Sequence, residues 1–326
     1  MKMNKNKIIK ITILVCVIAF SVVYLATTIY FNYSRTSFPL LNSSQSFSVV
    51  VLPDTQFYSA NNPEIFCRQT EWVKEMKDRL NIVFVSHVGD IVNDGAEKMY
   101  EWENASRCMN KLDGVLPYSV VPGNHDLNVQ SNKESGFSTF SKFFPSNKFE
   151  DKSWYGGSYL NNRNSFQKIT VNGLEILFLN LEIEPSHEVL DWANSVIGAN
   201  SNLYTIVTTH KYLPISASRR DDTRVFSKDG NSGEDIWKKL INNNCSIRQV
   251  WSGHFHGENK IITKNKCGDD VYQILQDYQD RTNGGDGWLR LFVFDTKDKN
   301  INVYTYSPFL RLFESDSDSR FQLKLD

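Results

Sequence analysis

Five runs of apolar, strand-forming residues in this chain each stop at a short polar cluster, and that punctuation restricts the fold more than any other feature. The run "VVVLP" ends in Asp54-Thr55-Gln56 and "VFVSHV" in Gly89-Asp90-Ile91-Val92-Asn93. "YSVVP" ends in Gly123-Asn124-His125-Asp126, "TIVTT" in His210, and "RQVW" in Ser252-Gly253-His254-Phe255-His256. Helical patterns over 64–80 and 96–112 separate the first three runs, and others near 186–198 and 233–242 precede the last two. Such βαβ alternation predicts parallel strands joined by crossover helices. The stretch 165–183 reads as a hairpin turning at Asn172-Gly173. The last third reads as β-rich and antiparallel, the polar segment 127–157 as an insertion or lid, and the acidic "ESDSDSR" within the C-terminal tail 311–326 as a solvated, frayed segment.

Ligands bind at the carboxyl ends of strands in open α/β sheets. Asp, Asn and Gly at one strand end are ordinary turn residues. Five clusters in succession hold four of the six histidines, which turn chemistry alone does not explain. His254 and His256 are two residues apart in extended chain, so both imidazoles project to one side. The donor set is carboxylate, amide and imidazole without thiolate, which suits Mn²⁺, Fe, Zn²⁺ or Co²⁺. It exceeds what one tetrahedral ion can use. Two divalent ions ~3.5–4 Å apart and bridged by a carboxylate would use it all, an arrangement for phosphoester hydrolysis.

The order D-x-Q, GD-x-x-N, GNHD, H, GHxH resembles the calcineurin-like metallophosphoesterase family over roughly residues 47–306. Its D-x-Q, with "YQDRTNGGDGWLRLFVFD" and "YTYSP", is similar to a bacterial and archaeal branch of that family. The resemblance implies an α/β fold, a four-layer α/β/β/α sandwich over residues 46–310. It implies that Asp54, Gln56 and His256 hold a first metal, that Asp90 bridges, and that Asn124, His210 and His254 hold a second. It also implies that His125 sits over the leaving group, oriented by Asp126. The family's usual first motif is D-x-H, so Gln56 is a departure. An amide oxygen is a weaker, harder donor than imidazole and leans the first site toward Mn²⁺ or Fe²⁺. Asn93 stands where a tyrosine would suggest the purple acid phosphatase type. Among the remaining histidines, His87 reads as a packed or hydrogen-bonded residue and His187 as exposed near a helix start.

Residues 1–10 carry four lysines, and 11–31 are uncharged. As a helix that run would span roughly 30 Å, the thickness of a bilayer's hydrocarbon core. Lysines before it predict a signal anchor with its N-terminus in the cytoplasm, followed by a polar tether over 32–45. A cleaved signal peptide is the competing expectation. The catalytic domain is then extracytoplasmic, where Cys67, Cys108, Cys245 and Cys267 can form two disulfides. The body beyond the basic N-terminus is slightly acidic and gives no electrostatic reason for nucleic-acid binding. The expected partners are therefore a phosphate-ester substrate and, through the anchor, the membrane. A non-catalytic surface binding module that keeps the scaffold is the alternative from a different functional class.

Overall fold

The computed structural model describes residues 14–23, 45–216 and 218–325. Within them, β1 (Ser46–Leu52), β2 (Ile82–His87) and β3 (Tyr118–Val120) run parallel, as the alternation predicts. Helices Pro63–Met76 and Met99–Met109 make the crossovers. The second sheet follows with β4 (Tyr155–Tyr159), β5 (Asn164–Val171), β6 (Leu174–Leu181), β7 (Tyr204–Lys211), β8 (Ile247–Gly253), β9 (Gly257–Lys264) and β10 (Asp270–Asp277). The chain then returns to the first sheet with β11 (Leu289–Asp295), β12 (Asn300–Ser307), β13 (Leu312–Phe313) and β14 (Arg320–Lys324).

Side-chain alternation explains the layering. On β1, Phe47, Val49 and Val51 enter a core shared with the other sheet, while Val50 and Leu52 face the helices. Ile176 and Phe178 do the same on β6, with Leu177, Leu179 and Leu181 on the helix side. The sheets meet through stacked rings: Phe84 on Phe178 at 3.9 Å between centroids, and Trp251 on Phe292 at 4.6 Å. Helices His187–Gly198 and Gly233–Ile236 pack on the outer face of the second sheet, giving helix, sheet, sheet, helix. Two α/β sheets with this layering match the fold class implied by the sequence.

The hairpin forms at Asn172-Gly173, where φ values of 51° and 78° supply the left-handed turn. Three other expectations change. β10 is antiparallel to β9 but parallel to β8, because the half-exposed β9 takes the edge and the almost wholly buried β10 inserts between them. Residues 127–157 are not a lid over solvent. Phe137, Phe140, Phe144 and Phe149 join the core against the first helix layer, with Phe143 stacked on Trp102 at 5.7 Å. The C-terminal tail is not frayed, since β13 and β14 both pair with β12 and Ser319 is buried, while residues 315–318 are exposed as expected.

Cys67 pairs with Cys108 and Cys245 with Cys267. Of the expected membrane span, residues 14–23 form an exposed helix. The rest of 11–31, the basic segment 1–10 and nearly all of the tether lie outside the described residues. No described helix is long and apolar enough to cross a membrane.

Candidate metal centre

The ring stacks bring the carboxyl ends of strands from both sheets to one rim. Asp90 lies just after β2 with φ of 49°, and His254 just after β8 with φ of 70°. Left-handed backbone at a residue other than glycine costs roughly 1–3 kcal/mol and concentrates at functional sites. These two residues and His210 offer ligand atoms that all lie within 4.8 Å of one another. A Cβ on Gly123 would overlap Asp90 Oδ1, so glycine there is what lets the third strand's loop close on the carboxylate.

Hydrogen bonds fix the protonation pattern. His210 Nδ1 lies 2.9 Å from the Val88 carbonyl, which can only accept, so Nδ1 donates there and Nε2 is the nitrogen left to face Asp90, with a lone pair when the ring is neutral. Nε2 sits 3.0 Å from Asp90 Oδ2, an ion pair when the imidazole is protonated and two acceptors facing a common point when it is neutral. Asp90 Oδ1 accepts the His125 N–H at 2.8 Å. Asp54 Oδ2, Gln56 Oε1, Asn124 Oδ1 and His210 Nε2 are buried and have no hydrogen-bond partner among the described residues. All four are acceptors. A buried acceptor left unmatched costs about 1–3 kcal/mol, and four together are what a cation would satisfy. His256 is half-exposed and turns Nδ1 toward Asp280 Oδ2 at 2.7 Å, which leaves its Nε2 available.

The electrostatics agree. Burial, then repulsion from Asp90 and Asp277, holds the Asp54 carboxyl well above the carboxylate range. Burial pushes Asp126 up to about 7, with Asp90 adding to it, and raises Asp277 to about 6. Burial opposes ionisation of Asp90 too, but protonated His210 outweighs it and keeps that pKa low. Burial lowers the pKa of His210, and the Asp90 charge more than offsets this, so without a cation the two form an ion pair. His254 falls to about 3 through burial and the neighbouring His210, so it stays neutral.

One expected role needs correction. Asp126 does not orient His125. Its oxygens accept from the N–H groups of Gly123 at 2.8 Å, Ile91 at 3.0 Å and Val92 at 3.1 Å, stapling the second and third loops together. The Asn93 carbonyl holds His125 instead, 2.7 Å from Nδ1. His87 is the buried, hydrogen-bonded residue expected: Gly89 N–H donates to its Nδ1, so its Nε2 donates to Thr55 Oγ1 at 2.9 Å and ties the first two loops. His187 is exposed at the start of its helix.

The sequence reading missed Asp277 and Gln279 at the end of β10. Their signal was a second Asp-x-Gln closing the apolar run "VYQILQ". It also missed Glu184. That buried carboxylate accepts from the N–H groups of Val225, Phe226 and Ser227 and pairs with buried Lys211 at 3.1 Å. Phe226 is thereby seated edge-on against His254, with ring centroids 5.7 Å apart.

The model of the calcineurin-like phosphoesterase family matches residues 47–258. The uncharacterized protein YvnB of Bacillus subtilis (strain 168) is 36% identical over 293 residues, covering 86% of this chain. The chain spans 22% of that relative's length. A dimetal phosphatase from Danio rerio has a similar fold, with a TM-score of 0.54 at 11% identity over 86% of this chain and 99% of that one. So does GAP50, the anchor in the inner membrane complex of Plasmodium, with a TM-score of 0.53 at 14% identity over 86% and 89%.

Carboxyls held above their ordinary range add stability that is present below about pH 4 and lost as pH rises through 6 for Asp277 and 7 for Asp126. Protein stripped of metal is therefore expected to melt lower at about pH 8 than at about pH 5.5, and Mn²⁺ added at the higher pH to restore the melting temperature. Equal melting temperatures that Mn²⁺ does not move would contradict this description of the rim.

Proposed function

The chain belongs to the calcineurin-like phosphoesterase family, and from that premise we propose that it hydrolyses phosphate esters at a pair of divalent ions, outside the cytoplasm. The observation that carries this reading is the set of buried acceptors without partners around Asp90. Asp54, Gln56 and His256 would hold the first ion, Asn124, His210 and His254 the second, with Asp90 shared. When bound, such ions supply Lewis acidity to the phosphoryl oxygens and activate a water. Everything else falls to the chain.

Asp90 has one oxygen toward the His125 backbone and one toward His210, a disposition suited to spanning two positions. Asn124 presents its amide oxygen inward from the same loop. The half-buried His125 is held through Nδ1, so Nε2 is the atom that passes a proton to the leaving oxygen. Stapling by Asp126 keeps Asn124 and His125 at a fixed distance from Asp90. Positioning of this kind is worth several kcal/mol in phosphoryl transfer.

Asp90→Ala is expected to reduce turnover of an aryl phosphate by at least ~10²–10³-fold, the usual loss for one preorganised electrostatic group, and to strip metal measured by elemental analysis. An active Asp90→Ala protein that keeps two ions per chain would sink the assignment. Turnover of a panel of mono- and diesters after loading with Mn²⁺, Fe²⁺, Zn²⁺ or Mg²⁺ tests the activity itself. A metal-loaded but inert protein would instead favour a binding module.

Extracytoplasmic placement is supported by the uncharged run 11–31 behind four lysines and by two cysteine pairs that suit an oxidising compartment. Protease added to intact cells is expected to digest the catalytic domain and leave a membrane-embedded fragment that retains residues near Met1. A soluble mature protein starting near residues 27–36 would show that the segment is a cleaved signal peptide.

A further inference from the structure

Asp277 closes β10 with its carboxylate fully buried. Its Oδ1 accepts the Gln279 N–H at 3.1 Å, and its Oδ2 has no hydrogen-bond partner among the described residues. Asp54 repeats this arrangement after β1, with Oδ1 accepting the Gln56 N–H at 3.2 Å and Oδ2 left over. The two Asp-x-Gln turns, one from each sheet, meet head to head, because Gln56 Nε2 donates to Gln279 Oε1. That bond fixes the Gln56 carboxamide with its nitrogen toward β10 and its Oε1 buried and unpartnered.

Register places Asp277 at the same rim. Its partner on β9 is Gly257, the residue after His256. On the other side, Leu275 pairs in parallel with Ser252, which sets Asp277 level with the turn at His254. Asp54 and Asp277 repel one another, and both feel Asp90. A buried carboxylate with a free oxygen among other carboxylates is tolerated when a cation faces it.

We propose that Asp277, through Oδ2, is a further protein donor to the first metal site, beside Asp54, Gln56 and His256. The inference rests on the dinuclear reading above. It offsets the departure at Gln56: where an imidazole is replaced by a weaker amide donor, a charged oxygen enters from β10. The resulting site is rich in oxygen and favours Mn²⁺ over Zn²⁺. Gln279 becomes a positioning residue that holds the Gln56 amide in its coordinating orientation.

The test compares the full chain with its Asp277→Asn variant, both stripped of metal and titrated with Mn²⁺ alone and with Zn²⁺ alone, with ion stoichiometry by elemental analysis. Wild type is expected to take two Mn²⁺ per chain. Asp277→Asn is expected to keep one and to lose at least ~10-fold in affinity for the other, with a smaller loss for Zn²⁺. Melting of the metal-free proteins separates coordination from structure. Removing a buried repulsive charge should leave the variant's melting temperature equal or higher, whereas a purely structural role would lower it and leave both affinities unchanged. That second pattern overturns the proposal while leaving the dinuclear reading standing. Wild type that binds no Mn²⁺ overturns both. If the Asn variant does not fold, Asp277→Glu, which keeps the charge but shifts it by one methylene, is read the same way: weaker binding of one ion supports the assignment, and unchanged affinity refutes it.

Discussion

The carboxylate of Asp90 stands where the two sheets meet, and the geometry of the rim depends on how it is held. One oxygen receives the His125 N–H from its own sheet and the other faces His210 of the opposite sheet at 3.0 Å. Left-handed backbone aims it, and the missing side chain at Gly123 makes room for it. A charge this deeply buried persists only where other groups compensate it. The spacing between Asp90 and His210 is in turn set by the ring stacks between the sheets, Phe84 on Phe178 above all. Packing and chemistry are therefore one problem here: a change in intersheet separation would displace donors contributed by both sheets.

Around that rigid base, the loops are tied down by polar bonds. Glu184 gathers the backbone of residues 225–227 and pairs with Lys211, next in sequence to His210. Lys133 brings the 127–157 segment to the same place through Glu182 at 2.9 Å, with Arg163 on that carboxylate's other oxygen at 2.6 Å. Both segments thus end against the rim around Asp90, where they can shape what approaches it. The dinuclear reading assigns chemistry to the strand ends and selectivity to these two segments.

Much of this was legible in the residues because strand ends and rim coincide. A polar cluster behind an apolar run places Asp54, Asp90, Asn124, His210 and His254 without knowledge of the loops. The parallel first strands and the Asn172-Gly173 hairpin were equally readable, since both follow from local pattern. What escaped depended on partners distant in sequence. Asp126 looks like a partner for its neighbour His125, yet three N–H groups, two of them more than thirty residues away, claim it. The aromatic residues of 127–157 are diluted by serine, asparagine and lysine, so average polarity concealed a packed face. The acidic tail hides two short strands for the same reason. Asp277 was overlooked because its Asp-x-Gln gains significance only from facing Asp54 across the sheets.

The central claim is that Asp90 stands between two ions. Anomalous diffraction from crystals of the Mn²⁺-loaded protein, recorded at the manganese edge, measures this without reference to any substrate. The account predicts two peaks ~3.5–4 Å apart on either side of the Asp90 carboxylate, one toward Gln56 and His256 and the other toward Asn124, His210 and His254. A single peak, or manganese bound away from Asp90, would contradict it.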